Sequence, residues 1–150
     1  MHKLWTGVTL AGLTLGIAGA AAAAERPLAL HPTSGSVKWG ACPPIFAKGC
    51  EIAVLHGDPA KPNADVMLRV PGGFRLPPHR HSSAERMILV SGRLRFKYQG
   101  SAARLLTPGT YAFGPAGLPH EGMCLRGPRC VLFIAFEGPV DAELVKGPIR

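Results

Sequence analysis

From residue 51 to residue 136 the chain is written in short runs in which apolar and polar side chains take turns. Arg93-Leu94-Arg95-Phe96-Lys97-Tyr98 is the plainest of them, with every second residue apolar. A period of two belongs to a strand with one buried face. The same reading predicts strands over 52–56, 65–70, around His79, and over 86–91, 93–98, 103–106, 110–113, 120–125 and 130–136, separated by Gly, Pro and Ser. Many short strands punctuated in this way predict an all-β antiparallel sandwich or barrel. A helical turn is expected only in the tail, over 140–146.

The first fifty residues follow another rule. Lys3 precedes an uncharged apolar run, and Ala22-Ala23-Ala24 stands before Glu25. That is the layout of a secretory signal peptide over 1–24. The run is long enough to span a bilayer, but its Ala and Gly content and small-residue end favour cleavage, leaving no stable membrane anchoring. The expected location is periplasmic or secreted. Residues 25–50 are rich in Pro, Gly and Ser and predict an extended N-terminal arm that Trp39 anchors to the domain at 51–150. The net charge of +8 falls to +7 when Lys3 is removed. The basic residues are scattered rather than clustered, so no nucleic acid is expected as a partner.

Two glycine-bounded blocks carry the candidate chemistry. In the first, Gly73 is followed by His79, His81, Glu85 and Gly92; in the second, Gly109 is followed by Pro115, Gly117 and His120. Residues two apart on a strand point to one face, so His79 and His81 reach a common point. A short turn through Ser82-Ser83-Ala84 returns Glu85 toward it. Imidazoles and a carboxylate together are good ligands for a divalent first-row ion. The blocks resemble the two signature motifs of the cupin superfamily: glycine, five residues, His-x-His, three residues, Glu, six residues and glycine, then glycine, five residues, Pro-x-Gly, two residues and His. The resemblance implies a cupin-type double-stranded β-helix, or jelly-roll barrel. It also implies one divalent transition metal (Fe, Mn, Zn or Ni) held by His79, His81, Glu85 and His120. The ligand types do not choose among the four ions.

What the resemblance implies about activity divides in two. One reading is a metal-dependent oxygenase, or less commonly an isomerase or decarboxylase, acting on a small-molecule substrate. The other is a module that binds a metal or small ligand without turnover, since one fold hosts both. Family habit further implies a homodimer, with the arm and Trp39 laid across the partner.

Around the site, strand parity turns Arg80 and Arg86 outward and Met87 and Leu89 inward, with Leu94 and Phe96 or Phe113 on the far wall. Tyr98 and Tyr111 are candidate acid/base groups but read better as core residues with satisfied hydroxyls. His56 reads as a surface histidine.

Four cysteines in an exported chain favour disulfides. Three pairings are open, and the local one, Cys42–Cys50 with Cys124–Cys130, is simplest because each pair brackets a turn-rich segment. Such short loops contribute less than about 3 kcal/mol each. Cys124 stands where the cupin pattern has Asn and shares the parity of His120, so a free thiol there would face the metal. A bridge to Cys130 would instead pin the hairpin that carries His120.

Overall fold

Alternation along the chain becomes two antiparallel sheets whose apolar faces meet. A computed structural model describes residues 25–150; the expected signal peptide at 1–24 lies outside the described residues. The strands are β1 (Gly40–Ala41), β2 (Glu51–His56), β3 (Ala64–Val70), β4 (Arg75–Arg80), β5 (Glu85–Ser91), β6 (Leu94–Tyr98), β7 (Arg104–Leu106), β8 (Tyr111–Gly114), β9 (His120–Cys124), β10 (Cys130–Phe136) and β11 (Glu143–Leu144). One sheet has the order β1-β2-β3-β10-β5-β8 and the other β11-β4-β9-β6-β7. The chain is all-β, as expected, and the nine strands predicted from alternation all form.

Between the sheets lies one apolar core. Val66, Val70, Met87, Leu89, Leu132 and Phe136 come from the first sheet, and Leu76, Leu94 and Phe96 from the second. Fully burying side chains of this size stabilises by roughly 1.5–3 kcal/mol each. Arg95 within β6, and Arg93 just before it, face water. At Gly92, which joins β5 to β6, the backbone is left-handed at φ 84°. A Cβ there would also lie 2.6 Å from the Arg129 carbonyl oxygen. Glycine alone meets both conditions.

The arm joins the domain in two ways. β1 adds to the edge of β2 through Gly40 and Ala41. Trp39 lies under the guanidinium of Arg69, 4.0 Å from its ring centroid. Arg69 in turn forks onto the Glu51 carboxylate at 2.7 and 2.9 Å. Trp39 thus anchors the arm on its own chain. Both local disulfides are formed, with Cα separations of 5.4 Å for Cys42–Cys50 and 5.9 Å for Cys124–Cys130.

Three expectations are corrected. No helical turn forms over 140–146; Glu143 and Leu144 instead pair with Arg80 and His79 as β11. Edge pairing supplies these residues with backbone partners that an isolated helical turn would lack. Phe113 is 47% exposed and Tyr111 57% exposed, because both lie on the outer face of the edge strand β8. Tyr98 is partly buried as expected, but its hydroxyl has no hydrogen-bond partner among the described residues.

Candidate metal centre

Both sheets contribute to one buried polar cluster. His79 on β4 is in register with His120 on β9, and His120 with Tyr98 on β6. His81 follows directly after β4. Glu85 opens β5 on the opposite sheet, in register with Gly114 and Phe136. The sequence-predicted residues His79, His81, Glu85 and His120 are all buried and meet between the sheets. Pro77 and Pro78 lie within β4, where its pairing with β9 shifts register. A proline cannot donate to the ladder, so the irregularity falls beside His79.

Backbone carbonyls aim each imidazole. Nδ1 of His79 donates to the Pro77 carbonyl at 2.7 Å, and Nδ1 of His120 to the Leu118 carbonyl at 3.2 Å. Nδ1 of His81 donates to the Asp141 carbonyl. With Nδ1 protonated, each Nε2 keeps its lone pair and turns it inward, as metal-ligating imidazoles do. One ligand nitrogen from each of the three lies within 4.8 Å of the other two. The Glu85 oxygens stand 3.4 Å from His120 Nε2 and 3.5 Å from His81 Nε2. Two donors about 2.1 Å from a shared ion at the tetrahedral angle are about 3.4 Å apart. That spacing joins Glu85 to His120 and His81, while the group whose donors all lie close to one another is the three histidines.

The electrostatics agree. Burial pushes the Glu85 carboxyl up to about 8, and its Oε1 has no hydrogen-bond partner. Burial, against the pull of the Pro77 carbonyl, lowers His79 to about 4. Burial with His79 and His81 alongside lowers His120 to about 2. His81 is lowered by burial as well. Three neutral imidazoles and a buried carboxyl with one unpartnered oxygen make a set that a divalent ion fits, its binding displacing the Glu85 proton.

A cavity of about 50 Å³ adjoins the cluster. At roughly 10–15 Å³ per water-sized probe it has room for a few waters or a very small molecule. Met87, Phe96, Leu132 and Phe136 supply apolar walls, and Pro43 and Phe46 of the Cys42–Cys50 loop roof it. The Phe46 ring meets His79 edge-on at 5.0 Å. Leu89 and Leu94 are buried as expected but lie away from this cavity. Gly114 matters here through space alone: a Cβ would sit 2.9 Å from Glu85 Oε1.

Residues outside the cluster fall where parity puts them. Arg80 pairs outward with Glu143 at 2.9 Å, and Arg86 pairs outward with Glu137. His56 is exposed, 3.7 Å from Glu25. Cys124 faces inward, but its bridge to Cys130 removes the thiol. The expected hairpin does not form, because β9 and β10 lie in different sheets, and the bridge ties one sheet to the other behind His120. Sequence reasoning missed Asp141, whose carbonyl holds His81 and whose carboxylate accepts the Ser82 N–H at 2.9 Å. It also missed Phe46. Neither residue has a motif around it; both reach the site through tertiary contacts.

Comparison with known proteins places this geometry. Dimethylsulfoniopropionate lyase DddQ of Ruegeria pomeroyi is 33% identical over 57 residues, a stretch covering 38% of this chain and 28% of that protein. Its crystal structure superposes with a TM-score of 0.64 at 21% identity, covering 75% of this chain and 64% of that one. The polyketide cyclase RemF of Streptomyces resistomycificus gives a TM-score of 0.65 at 23% identity, covering 82% and 88%. The chain thus spans less than two thirds of the lyase, and at these identities the structures share a fold. The ChrR cupin-like domain matches residues 31–141. The two glycine-bounded blocks, the paired sheets and this match over most of the chain agree: it belongs to the ChrR cupin-like domain family of the cupin superfamily.

Proposed function

We propose that this protein is an exported, metal-dependent oxygenase that holds one divalent transition metal through His79, His81, Glu85 and His120 and acts on a small, largely apolar molecule. The observation that carries the metal assignment is the buried three-histidine group; Glu85 is added to it because its oxygens stand 3.4 Å from His120 Nε2 and 3.5 Å from His81 Nε2. When bound, such an ion supplies Lewis acidity and, for Fe or Mn, a redox centre for dioxygen. The reaction class is argued from what surrounds it. Among the described residues lining the small cavity, the only acid besides Glu85 is Asp141, whose carboxylate is engaged by Ser82 N–H. Tyr98 keeps its proton, because burial and the charge of Glu85 push it above the usual tyrosine range. Hydrolysis and proton-shuttling reactions therefore lack a free base here. A redox reaction with a diatomic co-substrate needs none, and dioxygen fits the small cavity.

The walls set the rest. Met87, Phe96, Leu132 and Phe136 exclude water and favour an apolar reacting group, while the Phe46 loop closes over it. Both disulfides are consistent with an oxidising compartment; export itself rests on the sequence of residues 1–24. Oxygen uptake by iron- or manganese-loaded protein, screened with phenolic and thiol compounds, tests the reading. Uptake that His81→Ala abolishes supports it. Tight binding of a small ligand with no turnover under any metal would leave the binding-module reading.

A further inference from the structure

The barrel has a second opening, on the far side of Phe96 from the metal cavity. There β7 and β8, one edge strand from each sheet, face each other across the gap without pairing. Between them lies a pocket of about 490 Å³, within the range of small-molecule sites and far larger than the space beside the histidines. Phe96, Tyr98, Leu106, Tyr111 and Ala112 give it apolar and aromatic walls, and Arg104 is its charged residue. Register explains how an arginine reaches this place. Leu94 pairs with Leu106, both buried, and Phe96 pairs with Arg104. Arg104 therefore shares the inward parity of the core and opens onto the seam rather than onto the outer face. No Asp or Glu lines the pocket, and among the described residues none forms an ion pair with Arg104. The buried Tyr98 hydroxyl, also without a partner, stands in the wall between this pocket and Glu85, since a Cβ on Gly114 would touch both side chains.

We infer that this seam is a second ligand site, separate from the metal cavity, that takes a small amphipathic carboxylate. The carboxylate lies on the Arg104 guanidinium, which suits planar two-point recognition. The apolar body lies between the Tyr98, Leu106 and Ala112 side chains, with Tyr111 at the rim. A neutral molecule of the same shape gains the walls but not the fork. The site needs no metal and so stands or falls independently of the proposed function.

Phenylacetate and its neutral counterpart phenylacetamide are suitable probes, titrated into the metal-free and the zinc-loaded chain while amide shifts are followed by NMR. Phenylacetate should bind saturably in roughly the millimolar range expected of about ten heavy atoms at modest efficiency. The shifts should centre on Tyr98, Arg104, Leu106 and Ala112 and be the same with and without zinc. Phenylacetamide and Arg104→Gln should each weaken binding about tenfold or more, as loss of a charge-assisted pair requires. Arg104 is exposed, so its replacement leaves the core intact. Ala112→Leu fills the pocket from its inner wall and should abolish binding of both probes. Shifts centred on His79 and His120 that vanish without zinc would overturn the inference, as would equal affinity in Arg104→Gln or no saturable response to about 50 mM.

Discussion

Replacing Glu85 by Gln should stabilise the metal-free protein while destroying its ability to gain from metal. The carboxyl is 1% exposed and burial raises it from 4.5 to about 8. At pH 7 it is protonated when folded and ionised when unfolded. The gap between pH 7 and 4.5 corresponds to about 3 kcal/mol, at 1.36 kcal/mol per unit, by which burial disfavours the folded state. Gln carries no such charge to lose. Its amide is left as poorly bonded as the protonated acid, so those costs roughly cancel. The net gain is on the order of 2–3 kcal/mol, or about 10 °C for a chain of this size. The sign follows from linkage. A group raised on folding stabilises below its unfolded value and loses that contribution as pH rises through its folded value. The advantage of Gln should therefore be absent near pH 4.5, grow to about pH 8 and then level off. Thermal or urea unfolding in EDTA across that range is the assay. With metal the advantage of Gln closes at a hundredfold excess over Kd, where wild type gains about 2.7 kcal/mol, and the order reverses at a thousandfold excess, where the gain is about 4.1 kcal/mol. A Gln variant less stable than wild type in EDTA at pH 7, or a difference that ignores pH, would refute the reasoning.

Other outcomes follow from the same geometry. The buried histidines are lowered on folding, so metal-free wild type should also lose stability as pH falls below about 6.5, where the unfolded imidazoles protonate; together with Glu85 this places its optimum near pH 6.5, readable by the same unfolding series. Gly114→Ala sets a Cβ 2.9 Å from Glu85 Oε1 and should cost about 1–3 kcal/mol and weaken metal binding, measured by unfolding and by competition with a chelating dye. The paired substitution Cys124→Ser with Cys130→Ser should cost about 2 kcal/mol, from the entropy of a short loop, and loosen His120, so that calorimetry shows weaker metal binding. Asp141→Ala frees the Ser82 N–H beside His81 and should weaken metal binding up to about tenfold, with the zinc off-rate as the readout. Exposed Ile88, Val90 and Phe113 on the β5–β8 face offer a surface for a second copy, and light scattering at tens of micromolar should then give twice the chain mass; a monomer removes that reading.

How much of this was legible in the sequence depended on how local the cause was. Strands whose alternation is set by their own residues, such as β6 and β10, were found within a residue. β11 was not, because Glu143 and Leu144 form a strand only by pairing with Arg80 and His79. The four cluster residues were legible because their spacing is strict and each sits beside a turn. Parity also placed Arg80, Arg86, Met87 and Phe96. It failed for Phe113 and Tyr111, where an edge strand leaves its outer aromatic side chains uncovered. Asp141 and Phe46 reach the histidines across long stretches of chain, and no local pattern announces such a contact. The Arg104 pocket was hidden for the same reason, since it arises where two unpaired edges face each other.

The central claim is that four side chains from two sheets hold one divalent ion. Metal content per chain, measured on wild type, His81→Ala and His120→Ala purified from the compartment where the protein resides, tests it most directly. The account predicts about one transition metal per wild-type chain and little in either variant, with both variants still folded. Wild type without transition metal under these conditions, or variants as fully loaded as wild type, would contradict it.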